Sequence, residues 1–279
     1  MPAIDWKVAV HYAQLVNIAY SVAPDADYTE ATKAAIQAAG YRFVEALYGN
    51  ELATDVDPHL GQTVTYGFLA QSPEGELVAA IRGTETILEW LHDAAFLFVP
   101  NPIHAGGGLT EDGFTSIYRS LRAGKDPNSP AAISAITNLV GGEPGKASKV
   151  IVTGHSLGAA LATLLALDVA LNSGAKDLSV YTYASPRVGE LFFQHTYDGV
   201  APDTYRVHNR PDLVPKVPFF PYVHVGNDIE LVPPFDSIKR TLECWHSIDT
   251  YLWLLDQQAG GDTLKPKPDC QGPAYPGPK

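Results

Sequence analysis

The feature that most restricts the fold of this chain is a pentapeptide, Gly154-His155-Ser156-Leu157-Gly158, set between two segments of opposite periodicity. In front of it stands Lys149-Val150-Ile151-Val152-Thr153, a short β-branched run that reads as a buried strand. Behind it, Ala159-Ala160-Leu161-Ala162 opens a long Ala/Leu helix reaching about Leu171. A serine at such a junction sits on a strand–turn–helix elbow. The bend is so tight that side chains two positions either side of the serine collide with neighbouring backbone, which gives both glycines a physical reason. Small Ala159 and Ala160 let the helix pack close behind the turn. Ser156 then lies at a helix N-terminus, where unpaired amides stabilise developing negative charge.

The remainder of the 279 residues alternates strand and helix signals. A helix is expected from Asp5 to Tyr20 with Asp5 as N-cap, and a second from about Tyr28 to Tyr48. A hairpin follows, Thr63 to Ala70 and Glu76 to Arg82, joined by Ser72-Pro73-Glu74-Gly75. Helix returns at Phe114 to Leu121 and around Ala131 to Val140. Strands recur at Leu178 to Ala184, Thr204 to His208 and Val223 to Leu231, and a last helix spans Ser247 to about Gln257. This order argues an α/β fold with a largely parallel central sheet and helices on both faces. Neither a repeat nor a linker divides the chain, so residues 1–279 read as one domain. Its Pro/Gly-rich tail, 260–279, is a packed-down or mobile extension.

Composition excludes several function classes. With 46% hydrophobic and 18% charged residues the chain is globular rather than disordered. A net charge of −12 lacks the cation excess that a nucleic-acid partner requires. No run approaches the roughly 18 apolar residues of a membrane span. The start, Met1-Pro2-Ala3-Ile4-Asp5-Trp6, carries no signal-peptide pattern, and the compartment stays open. No His-Glu-x-x-His string or carboxylate cluster has metal-ligand spacing, so neither metal nor cofactor is expected. Cys244 and Cys270 are the only cysteines, and they read equally well as two thiols or as a bridge pinning the tail beside Trp245 and His246.

Four separated motifs belong together: the elbow; Arg82-Gly83-Thr84 followed by Trp90 and Asp93; Asn209-Arg210-Pro211-Asp212-Leu213-Val214-Pro215 with Pro218 downstream; and His246 ahead of an apolar helix. In them the chain resembles the class 3 lipases, the fungal-lipase-like branch of the α/β-hydrolases, over about Val64 to Leu255. It departs at Ala159, where the family often has Gly, and at Glu111 of Glu111-Asp112-Gly113-Phe114, where many members carry His. The resemblance implies an α/β-hydrolase fold and an oxyanion hole formed by the backbone N–H groups of Leu157 and Thr84. It also implies a lid over about 93–109.

The catalytic set can be argued from chain order alone, because this architecture runs nucleophile, acid, base. With Ser156 first, the base is sought among His195, His208, His224 and His246. His195 and His208 precede Asp212 and drop out by order. His224 lies in the strand-like Tyr222-Val223-His224-Val225, whereas His246 stands at a loop-to-helix boundary late in the chain and is favoured. Asp212, in a Pro-bracketed loop after a strand, is the expected acid, with Asp236 as runner-up. Asp198 and Asp203 flank Pro202 before that strand and read as solvated. His155 should point under the sheet in a structural role. Together these residues suit acyl transfer, with His246 taking the Ser156 proton and Asp212 holding the ring.

Residues 93–109 are apolar and end in Gly106-Gly107-Gly108, a hinge by composition, so the segment reads either as a lid or as a plain core strand from Ala95 to Val99. An acyl site is expected from Phe96 and Phe98 together with Val217, Phe219 and Phe220. The expected activity is that of a serine carboxylester hydrolase, a triacylglycerol lipase by resemblance. A feruloyl-type or short-chain carboxylesterase, a phospholipase A1 and a silent lipid-binding scaffold are the alternatives. The partners are then a lipid or small ester substrate and, transiently, a lipid interface; the oligomeric state is unassigned.

Overall fold

A computed structural model describes residues 3–51, 61–84, 96–143 and 145–272. The apolar run ahead of the elbow forms strand β7 (Lys149–His155), buried from Val150 onward, in the middle of an eight-stranded sheet. In chain order its partners are β1 (Arg42–Asn50), β2 (Thr63–Gln71), β3 (Glu76–Ile81), β6 (Arg122–Ala123), β8 (Leu178–Tyr183), β9 (Thr204–Asn209) and β10 (Asn227–Leu231). A separate pair, β4 (Phe98–Pro100) and β5 (Leu109–Glu111), stands outside it. The spatial order is β10-β9-β8-β7-β3-β2-β1-β6. From β10 to β3 all neighbours are parallel, and from β3 to β6 all are antiparallel. The elbow therefore leaves the C-terminal end of a strand deep within the parallel half, where open α/β sheets place their ligands.

Successive strand residues feed two cores, as a period of two requires. Leu77, Ala79, Ile81, Val150 and Val152 join one, and Val78, Ala80 and Ile151 the other. Helices α3 (Asp112–Ser120), α4 (Ala132–Leu139), α5 (Leu157–Asn172) and α6 (Leu191–Val200) cover the first face. The second is covered by α1 (Trp6–Tyr20), α2 (Glu30–Ala38), the short α7 (Leu242–His246) and α8 (Ile248–Gln258). Helix α5 is apolar on nearly every side, Thr163 and Asp168 apart, because it is enclosed, with Leu161, Leu164, Leu165 and Leu167 all fully buried. Each such leucine contributes about 1.5–3 kcal/mol of hydrophobic stabilisation.

Three sequence expectations are corrected. The helix expected over Tyr28 to Tyr48 is α2 followed by a strand: Thr29 caps it, it stops at Ala38, and the chain turns at Gly40 (φ 94°) into β1. Antiparallel pairing of β1 with β2 outweighs the helical spacing there. The strand expected from Val223 begins only at Asn227, because Val223 bridges to Gly189 and the His224 ring bonds Pro215 O. Helix α6 was not expected. Glu190 starts it by accepting the N–H groups of Phe192 and Phe193, but only Phe193 and Tyr197 are buried, too few to show a period.

The two cysteines are joined, with Cα atoms 5.2 Å apart. Residues 268–272 are thereby held against 236–239, where Lys239 N–H donates to Cys270 O and Ile238 bridges to Gln271.

Glu111 is what starts α3: its carboxylate accepts the Phe114 N–H at 2.8 Å. Burial pushes this carboxyl up to about 7, Asp112 adds to the rise, and the amides of Phe114 and Gly113 oppose it. A raised carboxyl binds its proton more tightly in the folded chain. Its stabilisation is thus complete below about pH 4.5 and is lost as pH rises through 7. Urea unfolding should show the native chain losing about 3 kcal/mol relative to Glu111→Gln between pH 4.5 and 8. A difference that stays constant across that window would refute the burial argument.

Candidate active site

Ser156 occupies the bend between β7 and α5 with φ 61° and ψ −129°, a region that L-residues rarely adopt. Its N–H donates to Tyr183 O at 2.9 Å, and its carbonyl receives the N–H groups of Ala159 and Ala160. A Cβ at Gly154 would fall 2.3 Å from Gly158 O, and one at Gly158 would fall 2.4 Å from Ile81 O. Both glycines are needed for close approach. A non-glycine residue held in such a conformation costs on the order of 1–3 kcal/mol. We expect Ser156→Gly to be more stable than Ser156→Ala by about 1–3 kcal/mol in denaturant titrations; equal stabilities would mean that the bend stores no strain.

His246 ends α7, and its Nε2 lies 2.8 Å from Ser156 Oγ while its Nδ1 lies 2.9 Å from Asp212 Oδ2. All three side chains are buried. Asp212 follows β9 in a loop whose own amides hold it, since Asp212 N–H donates to Asn209 O and Val214 N–H to Asp212 Oδ1 at 3.0 Å. Its second oxygen also accepts the Tyr251 hydroxyl at 2.8 Å. Both carboxylate oxygens thus accept hydrogen bonds, which is what a fully buried acid of this kind requires.

On sequence, Tyr251 belongs only to the apolar face of the last helix. Its hydroxyl instead links two segments, donating to Asp212 and accepting the Asn209 N–H at 2.9 Å. Burial, then the Asp212 charge, raises this phenol well above its ordinary value, so it acts as a fixed donor. A lone tyrosine on an Ile/Leu face was the available signal. Asn209 was also missed as a contributor; its Nδ2 donates to Trp245 O at 2.8 Å.

The other candidates lie elsewhere. His224 bonds Pro215 O, and burial, with Arg206 next, lowers it to about 3. His208 pairs with Asp228 at 3.1 Å, and His195 is exposed on α6. Asp236 pairs with Arg240, Asp198 accepts the Gly226 N–H, and Asp203 is exposed.

Of the two residues expected to form an oxyanion hole, Leu157 is the first residue of α5, where helix amides have no carbonyl behind them. Gly83, just before Thr84, packs so closely that a Cβ there would lie 2.8 Å from Ser156 Cβ. Trp90, Asp93, Ala94 and Ala95 fall outside the described residues.

Residues 96–109 do not form a continuous strand. They hold β4 and the start of β5 with a turn between, in which Asn101 donates to Gly107 O and accepts the N–H groups of Ile103 and His104. Those bonds tie down the glycine run. Phe98 stacks on Tyr222 with centroids 4.1 Å apart, and the Tyr222 hydroxyl donates to Phe96 O. Phe96 and Val217 are half-buried. Phe219 and Phe220 depart from the acyl-cleft expectation: they are 73% and 88% exposed, on a loop that Arg187 holds by the carbonyls of Lys216 and Pro218. Among the described residues no group of three or more His, Cys, Asp or Glu could hold a metal ion, and no helix is long and apolar enough to cross a membrane.

The chain is similar to known proteins in sequence and in fold. Rice phospholipase A1-II 1 (Oryza sativa subsp. indica) is 31% identical over 193 residues, covering 63% of this chain and 49% of the relative. The chain thus spans about half the length of that protein. The secreted mono- and diacylglycerol lipase A of Penicillium cyclopium is 33% identical over 182 residues, covering 64% of this chain and 56% of the relative. The crystal structure of a lipase from Rhizopus microsporus var. chinensis superposes with a TM-score of 0.61 at 25% identity, over 83% of this chain and 75% of that one. The fold is that of the α/β-hydrolases. Residues 78–222, just over half of the chain, match the family described as lipase (class 3), a stretch that takes in Thr84, Ser156 and Asp212 and ends before His246. With the elbow on the central strand and that match across the parallel half of the sheet, the chain belongs to the class 3 lipases.

Proposed function

We propose that this chain is a serine carboxylester hydrolase acting on lipid esters through an acyl-enzyme on Ser156. The observation that carries the reading is the unbroken line from Ser156 Oγ to His246 Nε2 (2.8 Å) and from His246 Nδ1 to Asp212 Oδ2 (2.9 Å). In the first half-reaction His246 takes the serine proton as Oγ attacks the ester carbonyl, then hands it to the departing alkoxide. In the second, water repeats the sequence and frees the acid. The backbone N–H groups of Leu157 and Thr84 receive the oxyanion, with the Thr84 hydroxyl as a third donor. Asp212 fixes the ring with its proton on Nδ1 and stabilises the imidazolium. The whole chain works as one domain in this reading.

The substrate class follows from surface and kinship together. Leu213, Phe219 and Phe220 are exposed on the loop that follows Asp212, and Leu97 is exposed on the segment joined to it through Tyr222. Exposed apolar groups beside a reaction centre suit adsorption to a lipid interface. The net charge of −12 favours a neutral or zwitterionic surface over an anionic one. A triacylglycerol or partial acylglycerol is the favoured substrate; the rice relatives favour phospholipid cleavage as a second reading.

A series of p-nitrophenyl esters with acyl chains from acetyl to palmitoyl, followed by emulsified triacylglycerol and phosphatidylcholine vesicles, tests this. A rate that climbs with chain length and jumps above the solubility limit supports the lipase. Hydrolysis confined to short soluble esters would overturn the lipid assignment, and cleavage of vesicles alone would select the phospholipase.

A further inference from the structure

The last carbonyls of a helix have no intrahelical partner, and at the end of α7 three successive ones are each taken by a side chain from a different element. Thr250 Oγ1 of α8 donates to Cys244 O at 2.7 Å, Asn209 Nδ2 of β9 to Trp245 O at 2.8 Å, and His155 Nε2 of β7 bonds His246 O at 2.8 Å. The backbone of the base is therefore clamped at three points. The third of these contacts leads further. A carbonyl only accepts, so His155 carries its ring proton on Nε2. Its Nδ1, 2.8 Å from the Tyr20 oxygen, must then accept the phenolic proton. That oxygen in turn accepts the Gly83 N–H at 2.9 Å.

The result is one chain with a single polarity: Gly83 N–H to Tyr20, Tyr20 O–H to His155, His155 N–H to the His246 carbonyl. One end adjoins Thr84 on the oxyanion side, and the other is the residue that moves the proton. His155 and Gly83 are further locked to the elbow, because a Cβ on Gly83 would strike Tyr20 Oη at 2.7 Å and His155 O at 3.0 Å. The His155 ring lies 4.8 Å from the His246 ring and edge-on to Tyr251 at 5.6 Å. Burial, with His246 next, lowers His155 well below the ordinary histidine value, so it serves as a neutral donor and places no second charge beside the imidazolium.

We propose that Tyr20 and His155 are positioning residues of the acyl transfer, a hydrogen-bonded relay that holds the Gly83–Thr84 oxyanion segment and the base His246 in one frame. The relay rests on the Ser156 hydrolase reading above. Acyl transfer needs the oxyanion donors and the base in register at the same carbonyl, and these groups come from distant parts of the chain. Small misplacements cost up to about 100-fold in rate.

Tyr20→Phe removes one hydroxyl and keeps the ring. It should lower kcat on a p-nitrophenyl ester about 10- to 100-fold with KM within about twofold, and slow inactivation by a fluorophosphonate by the same factor. Tyr12→Phe is the matched control: it lies on the same helix, is buried, and donates to Glu76 at the opposite end of β3. It should lower thermal stability with kcat within about twofold. His155→Gln tests the same link should Tyr20→Phe fail to fold. Combined with Tyr20→Phe it should cost no more than the worse single change, as expected for groups acting as one unit. The relay is overturned by wild-type kcat in Tyr20→Phe, by an equal kcat loss in Tyr12→Phe, or by multiplicative losses in the double variant. Absence of fluorophosphonate labelling in the native chain would instead sink the hydrolase reading on which the relay rests.

Discussion

Ser156→Ala should lower kcat for a p-nitrophenyl ester by about 10⁶-fold and abolish fluorophosphonate labelling, with the melting temperature nearly unchanged. Among the described residues, the Oγ removed is the group that His246 Nε2 addresses, so no second nucleophile is positioned for the same carbonyl. What survives is the oxyanion side and substrate binding, which alone leave about 10³–10⁴-fold catalysis over water. The alanine keeps its Cβ and hence the strained backbone of the bend, so the fold should tolerate it. Mass spectrometry of the labelled protein decides the matter, since labelling that persists in the variant would place the reactive serine elsewhere.

Asp212→Asn is the second large effect, a loss of about 10⁴-fold in kcat with the fold retained. Asp212 Oδ2 accepts from both His246 Nδ1 and the Tyr251 hydroxyl, and Oδ1 accepts the Val214 amide. A side-chain amide has one oxygen and one NH₂, so it cannot accept on both sides. Either the loop amide or the His246–Tyr251 pair then meets a donor. If the NH₂ faces the ring, His246 must turn its lone pair toward that NH₂ and its proton toward Ser156, the wrong tautomer for a base. The measurement is kcat alongside circular dichroism; a loss of less than about tenfold would assign the acid to another carboxylate.

The elbow and its surroundings were legible because their chemistry is local. A β-branched run must be a strand if both its faces are covered. Two glycines four residues apart are required where backbone meets backbone, and a Leu/Ala helix without a polar face must be enclosed. Asp212 and His246 followed from order along the chain and from the turn residues around them. The stretch from Tyr41 to Tyr48 was misread because its apolar spacing suits either period, and the decision fell to a partner strand that local pattern does not include. Composition likewise says nothing about Asn101, whose side chain bonds across the turn that holds the glycine run at 106–108.

What the amino-acid order determined unaided is the layered α/β plan, and it also singled out the three residues proposed as nucleophile, acid and base, since each is written in periodicity, sterics or succession. What the tertiary structure alone decided is how those three are held: Tyr251 and Asn209 bridging the Asp212 loop to the His246 segment, the cysteine pair fixing residues 268–272, and Tyr20 and His155 joining Gly83 to His246. The physical reason is that a hydrogen bond between residues far apart in the chain leaves no mark on either neighbourhood. A tyrosine that fills a core and one that donates into a reaction centre bury the same ring, and only the place where its hydroxyl ends tells them apart.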